Sequence, residues 1–372
     1  MTRFLHPAAC TEVGSLGLFR ERFGQGRPDP AGDTVVQGLD LTDAPETAIL
    51  LGRHWEGVTF LGCQMIETAE LHLISAGATL FPPFEDLPYN PYRASLYSTT
   101  ELADDDLDEK IYRHQAQYRR TEAMPILEAL AQRIHDHAVD AALADYLRHF
   151  DSVVAIMGGH GVLRDDPSFV RVAELACALT RAGHHIVTGG GPGAMEAANL
   201  GAWLAPQADA ALADSVELLR DAADYSTPGY LDAALAVIDR YPSGAESLAI
   251  PTWFYGHEPT NAFATAAAKY FSNSIREDGL LAIASHGVVY TPGSAGTVQE
   301  VFMDATQNHY RTFEIISPMV FLDSEYWADD RLSAPRLLRQ LAGDRPYGEM
   351  IAVLDDPGEI VAFIEAHPPL HV

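Results

Sequence analysis

A glycine-rich turn followed by a carboxylate is the part of the sequence best suited to chemistry. Residues 287–310 read GVVYTPGSAGTVQEVFMDATQNHY, which predicts a buried strand, a turn over 292–296 and a helix that opens at or just before Thr297. The first turn of a helix presents backbone N–H groups without intrahelical acceptors, and together with the helix dipole they bind anions. Glu300 lies one helical turn beyond Thr297 on the same face. The pattern therefore predicts a phosphate cradle with a carboxylate beside it.

Two further glycine turns follow predicted strands. Residues 158–161, GGHG, follow the strand Val153–Met157, and residues 189–193, GGGPG, follow the strand His185–Thr188. The carboxyl ends of parallel strands meet at one edge of a sheet, where α/β proteins bind their ligands. We therefore expect the three turns to converge on one site. His160 either contacts the ligand there or only shapes its turn.

Two common nucleotide sites fit the sequence poorly. The turn at 189–194 has the spacing of a dinucleotide fingerprint, but no acidic residue clearly ends the next strand to hold a ribose. The chain has two lysines, Lys110 and Lys269, and neither lies in a glycine turn as the lysine of a phosphate loop does. A pyridoxal-phosphate enzyme needs a Schiff-base lysine, and neither lysine has such a setting.

The elements that must position these turns alternate between strand and helix from residue 151 onward. This alternation of short apolar strands with helices predicts an α/β fold with a doubly wound parallel sheet covered on both faces. An acidic, helix-prone stretch at 206–246 is expected to be an insertion or a lid. Strands are predicted at 153–157, 185–188, 247–250, 288–290, 319–322 and 350–354. Helices are predicted from a Ser168 cap to 182, at 194–205, 262–276 and 331–341, and after Pro357.

Residues 1–150 are predicted to form a separate N-terminal region, partly α/β and partly helical. The segment 58–84 has a β-α-β pattern, and the segment 104–149 is helical, with a second helix starting at Pro125. The boundary predicted at residue 150 leaves 151–372 as the nucleotide-binding, catalytic domain. The function of the N-terminal region is not evident from its residues.

Composition excludes several classes of partner. The 372 residues carry 24 Lys and Arg against 52 Asp and Glu, a formal charge of −28, which argues against nucleic-acid and anionic-membrane partners. No apolar run reaches the roughly 18 to 20 residues that span a bilayer, and the N-terminus is too mixed for a signal peptide. Three dispersed cysteines without a CxxC pair predict reduced thiols, no metal site and a cytoplasmic protein.

Two motifs together resemble a known family. GGGPGAMEAANLGA at 189–202 and PGSAGTVQE at 292–300 are similar to the paired signatures of the "lonely guy" phosphoribohydrolases, often misannotated as lysine decarboxylases. The first motif is closer still to the larger bacterial pyrimidine/purine nucleotide 5′-monophosphate nucleosidases, which also have a GGH turn and an EPxN stretch, as at 158–160 and 258–261. The resemblance covers roughly residues 151–365. It implies a Rossmann-like fold, a homodimer or higher oligomer, and hydrolysis of nucleoside 5′-monophosphates without a cofactor.

The resemblance also implies a role for individual residues. Glu300 would be the catalytic carboxylate, and Arg276 would match the arginine ahead of the loop. The 5′-phosphate would bind to the loop residues Gly293, Ser294, Ala295, Gly296 and Thr297. Further substrate contacts would come from Gly158, Gly159, Gly190, Gly191, Gly193, Met195, Glu196, Glu258, Asn261 and Thr306. Apart from the resemblance, we expect Met195 and the segment 253–255 to form the slot for the base.

Departures from the family pattern keep a second function open. Ser294 replaces the second glycine of the PGGxGT motif, Arg276 aligns only with a one-residue shift, and Glu277 follows it where plant-like members have lysine. The alternative is a non-catalytic nucleotide-binding or sensing protein of the same fold. Glu196 could line the site or cap the turn.

Overall fold

The computed structural model describes residues 11–30, 32–119, 124–256, 259–328 and 333–371. These residues form two units, a smaller one of residues 11–96 and 113–146 and a larger one of residues 97–112 and 147–371. The boundary predicted at residue 150 lies near the crossing at 147. It misses the short segment 97–112, which belongs with the larger unit.

The smaller unit contains a parallel sheet of four short strands in the order β1-β2-β3-β4. Its elements are β1 (Thr11–Val13), α1 (Leu16–Phe23), β2 (Thr34–Gln37), α2 (Ala44–Leu51), β3 (Thr59–Leu61), α3 (Glu67–Ser75) and β4 (Thr79–Phe81). The β-α-β pattern predicted at 58–84 is confirmed as β3-α3-β4. Trp55 is fully buried at the centre of the core, between the rings of Phe19, Phe23 and Phe60.

Three helices follow β4 along the chain: α4 (Thr99–Ala103), α5 (Leu107–Ala116) and α6 (Ile126–Leu147). The predicted helix start at Pro125 is confirmed, since α6 begins one residue later. Short 3-10 segments occur at Asp104–Asp106, Gln117–Arg119, Arg220–Ala222 and Pro346–Gly348.

The larger unit is built on a sheet of seven parallel strands, so the predicted Rossmann-like α/β class is confirmed. Its strands are β5 (Val153–Met157), β6 (His185–Thr188), β7 (Ser247–Ala249), β8 (Ala266–Ala267), β9 (Val288–Tyr290), β11 (Met319–Leu322) and β12 (Ile351–Leu354). A separate antiparallel pair consists of β10 (Ile315–Ile316) and β13 (Leu370–His371).

Nine helices are described in the larger unit after β5. They are α7 (Pro167–Arg181), α8 (Ala194–Leu204), α9 (Ala210–Leu219), α10 (Tyr230–Arg240), α11 (Asn273–Ile283), α12 (Ala295–Tyr310), α13 (Ser324–Ala328), α14 (Ala334–Ala342) and α15 (Pro357–Ala366). Apolar residues of α7, α8 and α15 pack with those of β5 and β6 in one hydrophobic cluster. The stretch 206–246, predicted as a helical insertion, contains α9 and α10.

The strand order places the switch point of the sheet between β5 and β9. The order is β12-β11-β9-β5-β6-β7-β8, so the chain adds strands on one side of β5 and then returns to its other side with β9. At such a reversal the loops that leave neighbouring strands diverge and open a crevice at their carboxyl ends. All three glycine turns leave strands that lie at or beside this point.

Some predicted elements differ from those of the structure. The helix predicted at 262–276 is wrong, because this stretch contains β8 and the start of α11 at Asn273. The predicted cap Ser168 is also wrong: Asp166 precedes α7, and its carboxylate accepts a hydrogen bond from the Ser168 amide. The helix predicted at 331–341 begins at Ala334 in α14, and residues 331–332 lie outside the described part. Within the described chain, no helix has both the length and the apolarity to cross a membrane.

Candidate functional site

An open cleft of ≈ 250 Å³ lies at the carboxyl ends of the central strands of the larger unit. All three glycine turns contribute to its walls, as the sequence predicts. The loop after β7 and side chains of α11 and α12 complete it. The turn residues that line it are Gly158, Gly159, His160, Gly189, Ser294 and Gly296.

The amino end of α12 forms one wall of the cleft. The helix begins at Ala295, and Ser294 precedes it without capping it through its side chain. The amides of the first turn have no intrahelical acceptors, as at any helix start, and Ser294, Gly296 and Thr297 line the cleft. Thr297 is buried, and a Cβ on Gly293 would lie 2.2 Å from its hydroxyl oxygen, so the turn requires glycine there. Tyr326 of α13 donates a hydrogen bond to the Gly293 carbonyl and fixes the turn from behind.

Glu300 and Arg276 meet inside the cleft. The Nη1 atom of Arg276 lies 3.5 Å from Oε1 of Glu300, and both side chains are largely buried, at 12% and 13% exposure. The Nε atom of Arg276 donates to the Ile250 carbonyl at 2.9 Å, which ties the guanidinium to the end of β7. The structure thus brings together the two residues that the sequence singles out as catalytic, although α11 and α12 supply them separately.

Burial raises the pKa of the Glu300 carboxyl above its ordinary value. Arg276 acts in the opposite direction by stabilising the carboxylate, whereas the negative charge of Glu277 adds to the rise. Desolvation exceeds the single, long contact with Arg276 because the ionised form loses water that one guanidinium does not replace. A carboxyl group with a raised pKa can exchange a proton closer to neutral pH than an exposed one.

Glycine is required at several positions because backbone and side chains approach closely. A Cβ on Gly158 would lie 1.9 Å from the Thr291 hydroxyl, and one on Gly193 would lie 2.5 Å from the Gly159 carbonyl oxygen. Gly190 and Gly193 also have φ angles of 77° and 73°, in the left-handed region that favours glycine. Gly191, between them, is buried. Gly193 lets the turns after β5 and β6 pack against each other, whereas Gly158 leaves room for Thr291 after β9 and Gly190 for Ala249 and Pro251.

Gly189 is a site residue that the sequence analysis does not single out. A Cβ at this position would lie 2.4 Å from Nη2 of Arg276 and 2.8 Å from Sδ of Met195. Its lack of a side chain therefore makes room for the guanidinium that pairs with Glu300. The available signal is its place as the first residue after β6, where parallel strands present their ligand-binding ends.

The prediction that Glu196 binds substrate is corrected by the structure. In the described part of the chain, its carboxylate does not line the cleft. It accepts hydrogen bonds from Arg164 Nε at 3.0 Å and Arg164 Nη2 at 2.5 Å, and from the Tyr230 hydroxyl at 2.5 Å. Glu196 and Arg164 are at most 2% exposed. This buried ion pair holds the start of α8 against α10, a structural role rather than substrate binding.

Four other predicted contacts also lie elsewhere or outside the described residues. Thr306 is exposed farther along α12, and its hydroxyl donates to the Phe302 carbonyl of its own helix. Asn261 donates to Asn199 and, with Gly190, lines a separate small cavity of ≈ 20 Å³. Glu258 lies outside the described residues. Of the predicted base slot, Met195 and Tyr255 line the cleft, but Trp253 is fully buried.

Glu277 and Thr252 line the cleft as well, and the sequence analysis assigns them no role there. Glu277 follows Arg276 directly in α11, and its carboxylate accepts hydrogen bonds from the Tyr255 hydroxyl and Gln299. Among the described residues, no group of three or more His, Cys, Asp or Glu side chains is placed to hold a metal ion.

Comparison with known proteins gives matches of fold only. Neither a protein-family model nor a curated protein matches the sequence. The molybdenum cofactor binding protein from the phototrophic bacterium Rippkaea orientalis matches with 16% identity and a TM-score of 0.37, over 58% of this chain and 96% of that one. A structure of the Moco carrier protein from Chlamydomonas reinhardtii matches with 16% identity and a TM-score of 0.36 over the same shares. The fold class of this chain rests on the strand order of its own sheet.

Proposed function

We propose that the cleft binds a nucleoside 5′-monophosphate and hydrolyses its N-glycosidic bond to give free base and ribose 5-phosphate. The observation that carries this proposal is the position of Glu300, with Arg276 beside it, in the cleft wall just beyond the start of α12. The motif resemblance between residues 189–202 and 292–300 and the phosphoribohydrolases supports the same function. The proposed enzyme needs no cofactor.

The start of α12 is the proposed phosphate site. Its first-turn amides and dipole attract an oxyanion, and the hydroxyls of Ser294 and Thr297 add donors. Glu300 lies beyond these amides by about one helical turn, ~5 Å along the axis. A phosphate held at the helix start thus places the sugar beside the carboxylate, and its binding energy can hold the reacting bond in register.

Glu300 is the proposed general base. Water attacks the anomeric carbon C1′, its oxygen forms the new bond, and the C1′–N bond breaks with its electron pair passing to the base nitrogen. Glu300 takes the proton that the water loses and releases it to solvent, and the departing base gains a proton from solvent. While C1′ carries positive charge in the transition state, the ionised carboxylate also stabilises it, as in glycoside hydrolysis.

Arg276 has two proposed effects on this step. Its guanidinium favours the ionised form of Glu300, against the desolvation that raises the pKa. Its remaining donors face the cleft region and can hold phosphate or ribose oxygens. The hydrogen bond from its Nε atom to the Ile250 carbonyl keeps the guanidinium in one orientation.

A nucleotide panel tests the proposal. The full chain is incubated with AMP, GMP, CMP, UMP and IMP, and chromatography measures released base and ribose 5-phosphate. We expect release from at least one nucleotide and little from the matching nucleoside, which lacks the phosphate. Glu300→Gln should lower kcat by about 10²-fold or more while nucleotide binding persists. Exposed Glu349→Gln is the matched control and should keep wild-type turnover.

A non-catalytic nucleotide-binding protein is the second candidate. The pairing of Glu300 with Arg276 favours this candidate, because a carboxylate engaged by a guanidinium is a weaker base. This candidate predicts saturable binding of nucleotides without release of base from any member of the panel. That result would also contradict the proposed hydrolysis.

A further inference from the structure

We propose that Tyr255 is the platform on which the aromatic base of the ligand stacks, an inference that rests on the proposed nucleotide function. Tyr255 lies in the loop after β7 and lines the cleft together with Glu300 and Arg276. Tyr255 is 64% exposed, so much of its surface is open to a ligand. Aromatic side chains bind nucleobases by stacking, with little dependence on sequence because every base has a π-face.

Two hydrogen bonds at its hydroxyl group fix the position of the ring. The Tyr255 hydroxyl donates to Oε1 of Glu277 at 3.2 Å and accepts from Nδ2 of Asn273 at 2.9 Å. Both partners belong to α11, the helix that also carries Arg276. The ring is thus held at its polar end while most of its surface stays exposed. A stacking platform held in place before binding loses little conformational entropy when the ligand arrives.

Glu277 links this platform to the catalytic helix. Its Oε2 atom accepts a hydrogen bond from Nε2 of Gln299 at 2.8 Å, and Gln299 directly precedes Glu300 in α12. The loop after β7, α11 and α12 are therefore joined through one carboxylate. Glu277 is a positioning residue here, since it sets the distance between the ring and the carboxylate that acts on the sugar.

The neighbouring aromatic residues are less suited to this role. Trp253 is fully buried, and its indole N–H donates to Oδ1 of Asp108 at 2.7 Å. Phe254 is 47% exposed, but among the described residues it does not line the cleft, and its ring meets that of Tyr255 edge-on. Tyr255 combines exposure, a place in the cleft and a fixed hydroxyl.

Binding measurements with and without the base test the inference. Isothermal titration calorimetry is done with the full chain carrying Glu300→Gln, so that nucleotide is not consumed. AMP and ribose 5-phosphate are the two ligands, and they differ only in the base. Tyr255→Ala should weaken AMP binding about 5- to 150-fold and leave ribose 5-phosphate binding unchanged. Tyr310→Ala, which removes an exposed tyrosine at the far end of α12, is the matched control and should change neither affinity.

Tyr255→Phe tests the aromatic ring separately from the hydroxyl group that holds it in place. It keeps the stacking surface but removes the hydroxyl, so we expect a smaller loss of AMP affinity than Tyr255→Ala causes. If Tyr255→Ala weakens both ligands equally, or neither, the platform role is wrong although the phosphate site remains. If the Glu300→Gln protein with Tyr255 intact binds neither ligand, the proposed function fails and this inference fails with it.

Discussion

Glu300 shows how the surroundings of one residue determine its chemistry. Its carboxylate has one basic partner, Arg276, at a distance of 3.5 Å, and an acidic neighbour, Glu277. Burial raises its pKa, so its proton affinity is higher than that of an exposed glutamate. A simple helix-start glutamate would instead be solvated and would stabilise the helix dipole. The position inside the cleft favours the chemical role.

Gly189→Ala should lower hydrolysis without unfolding the protein. The added methyl group would lie 2.4 Å from Nη2 of Arg276, so the guanidinium must shift from its present position beside Glu300 to accommodate it. A displacement of about 1 Å at a reacting centre can cost about 10²-fold in rate, which is the loss we expect in kcat/KM for the best nucleotide. The free energy of unfolding should change little, because a flexible side chain can yield.

Gly161→Ala is the control for this substitution. Gly161 lies in the turn after β5, and a Cβ there has no heavy atom within 4 Å, so its activity should equal that of the wild type. Equal activity of Gly189→Ala and Gly161→Ala would show that the position of Arg276 does not matter for turnover.

At the scale of secondary structure, local sequence signals place most strands of the larger sheet correctly but miss β8. The strands β5, β6, β9 and β11 lie where the sequence places them, since short apolar runs bounded by glycine or proline leave little choice. The stretch NAFATAAAKYF at 261–271 is rich in alanine and favours a helix by propensity. Pairing of β8 with β7 overrides that preference, and only the tertiary structure shows it.

The site was predictable to the extent that it is formed by turns. The three glycine turns, Glu300 and Arg276 meet because parallel strands bring their carboxyl ends together. Glu196 was not predictable in the same way, because its partners, Arg164 and Tyr230, lie 32 and 34 residues away in sequence. Whether a polar residue of a helix faces a ligand or a buried ion pair depends on such distant partners.

The close packing of α7 and α8 predicts a destabilising substitution at Gly201. A Cβ at Gly201 would lie 2.0 Å from the Ala173 carbonyl oxygen of α7. Alanine gains about 1 kcal/mol over glycine in a helix interior, but here the overlap forces two backbones apart. We expect Gly201→Ala to lower the free energy of unfolding by about 1–3 kcal/mol, measured by denaturant titration.

Gly17→Ala provides the comparison, since Gly17 lies in α1 and a Cβ there would lie 4.0 Å from the Ser15 hydroxyl oxygen. This substitution should be neutral or slightly stabilising. A Gly201→Ala variant as stable as Gly17→Ala would contradict the close approach of α7 and α8.

At the scale of the whole larger unit, the two ends of its sheet have different chemistry. The carboxyl end of the strands holds the cleft, whereas His184, His185 and His286 lie at the amino end, just before or at the start of β6 and β9. Burial lowers the pKa of each of these imidazoles, and that of His185 falls to about 4. The folded state therefore resists their protonation.

The sign of the pH effect follows from proton binding. The unfolded chain protonates a histidine near its ordinary pKa of about 6.5, whereas the folded state binds a proton at His185 only near pH 4. The stability that neutral His185 contributes is complete above pH ~6.5 and is lost as the pH falls toward 4. Asp304 has the opposite effect, since burial raises its pKa to about 7 and the folded state gains relative stability as this carboxyl is protonated. A comparison of variants is thus needed to separate the contribution of His185 to the pH dependence of stability from that of Asp304.

His185→Phe should make the larger unit less sensitive to acid. The phenyl ring can keep the stacking on Phe150, whose ring centroid lies 3.6 Å from that of His185, and it cannot bind a proton. We expect the free energy of unfolding of the wild type, relative to that of His185→Phe, to fall by about 2 kcal/mol between pH 6.5 and 5, at up to ~1.4 kcal/mol per pH unit. Denaturant titrations of both proteins at several pH values measure this difference. A flat difference curve would mean that His185 gains its proton as readily in the folded sheet as in the unfolded chain.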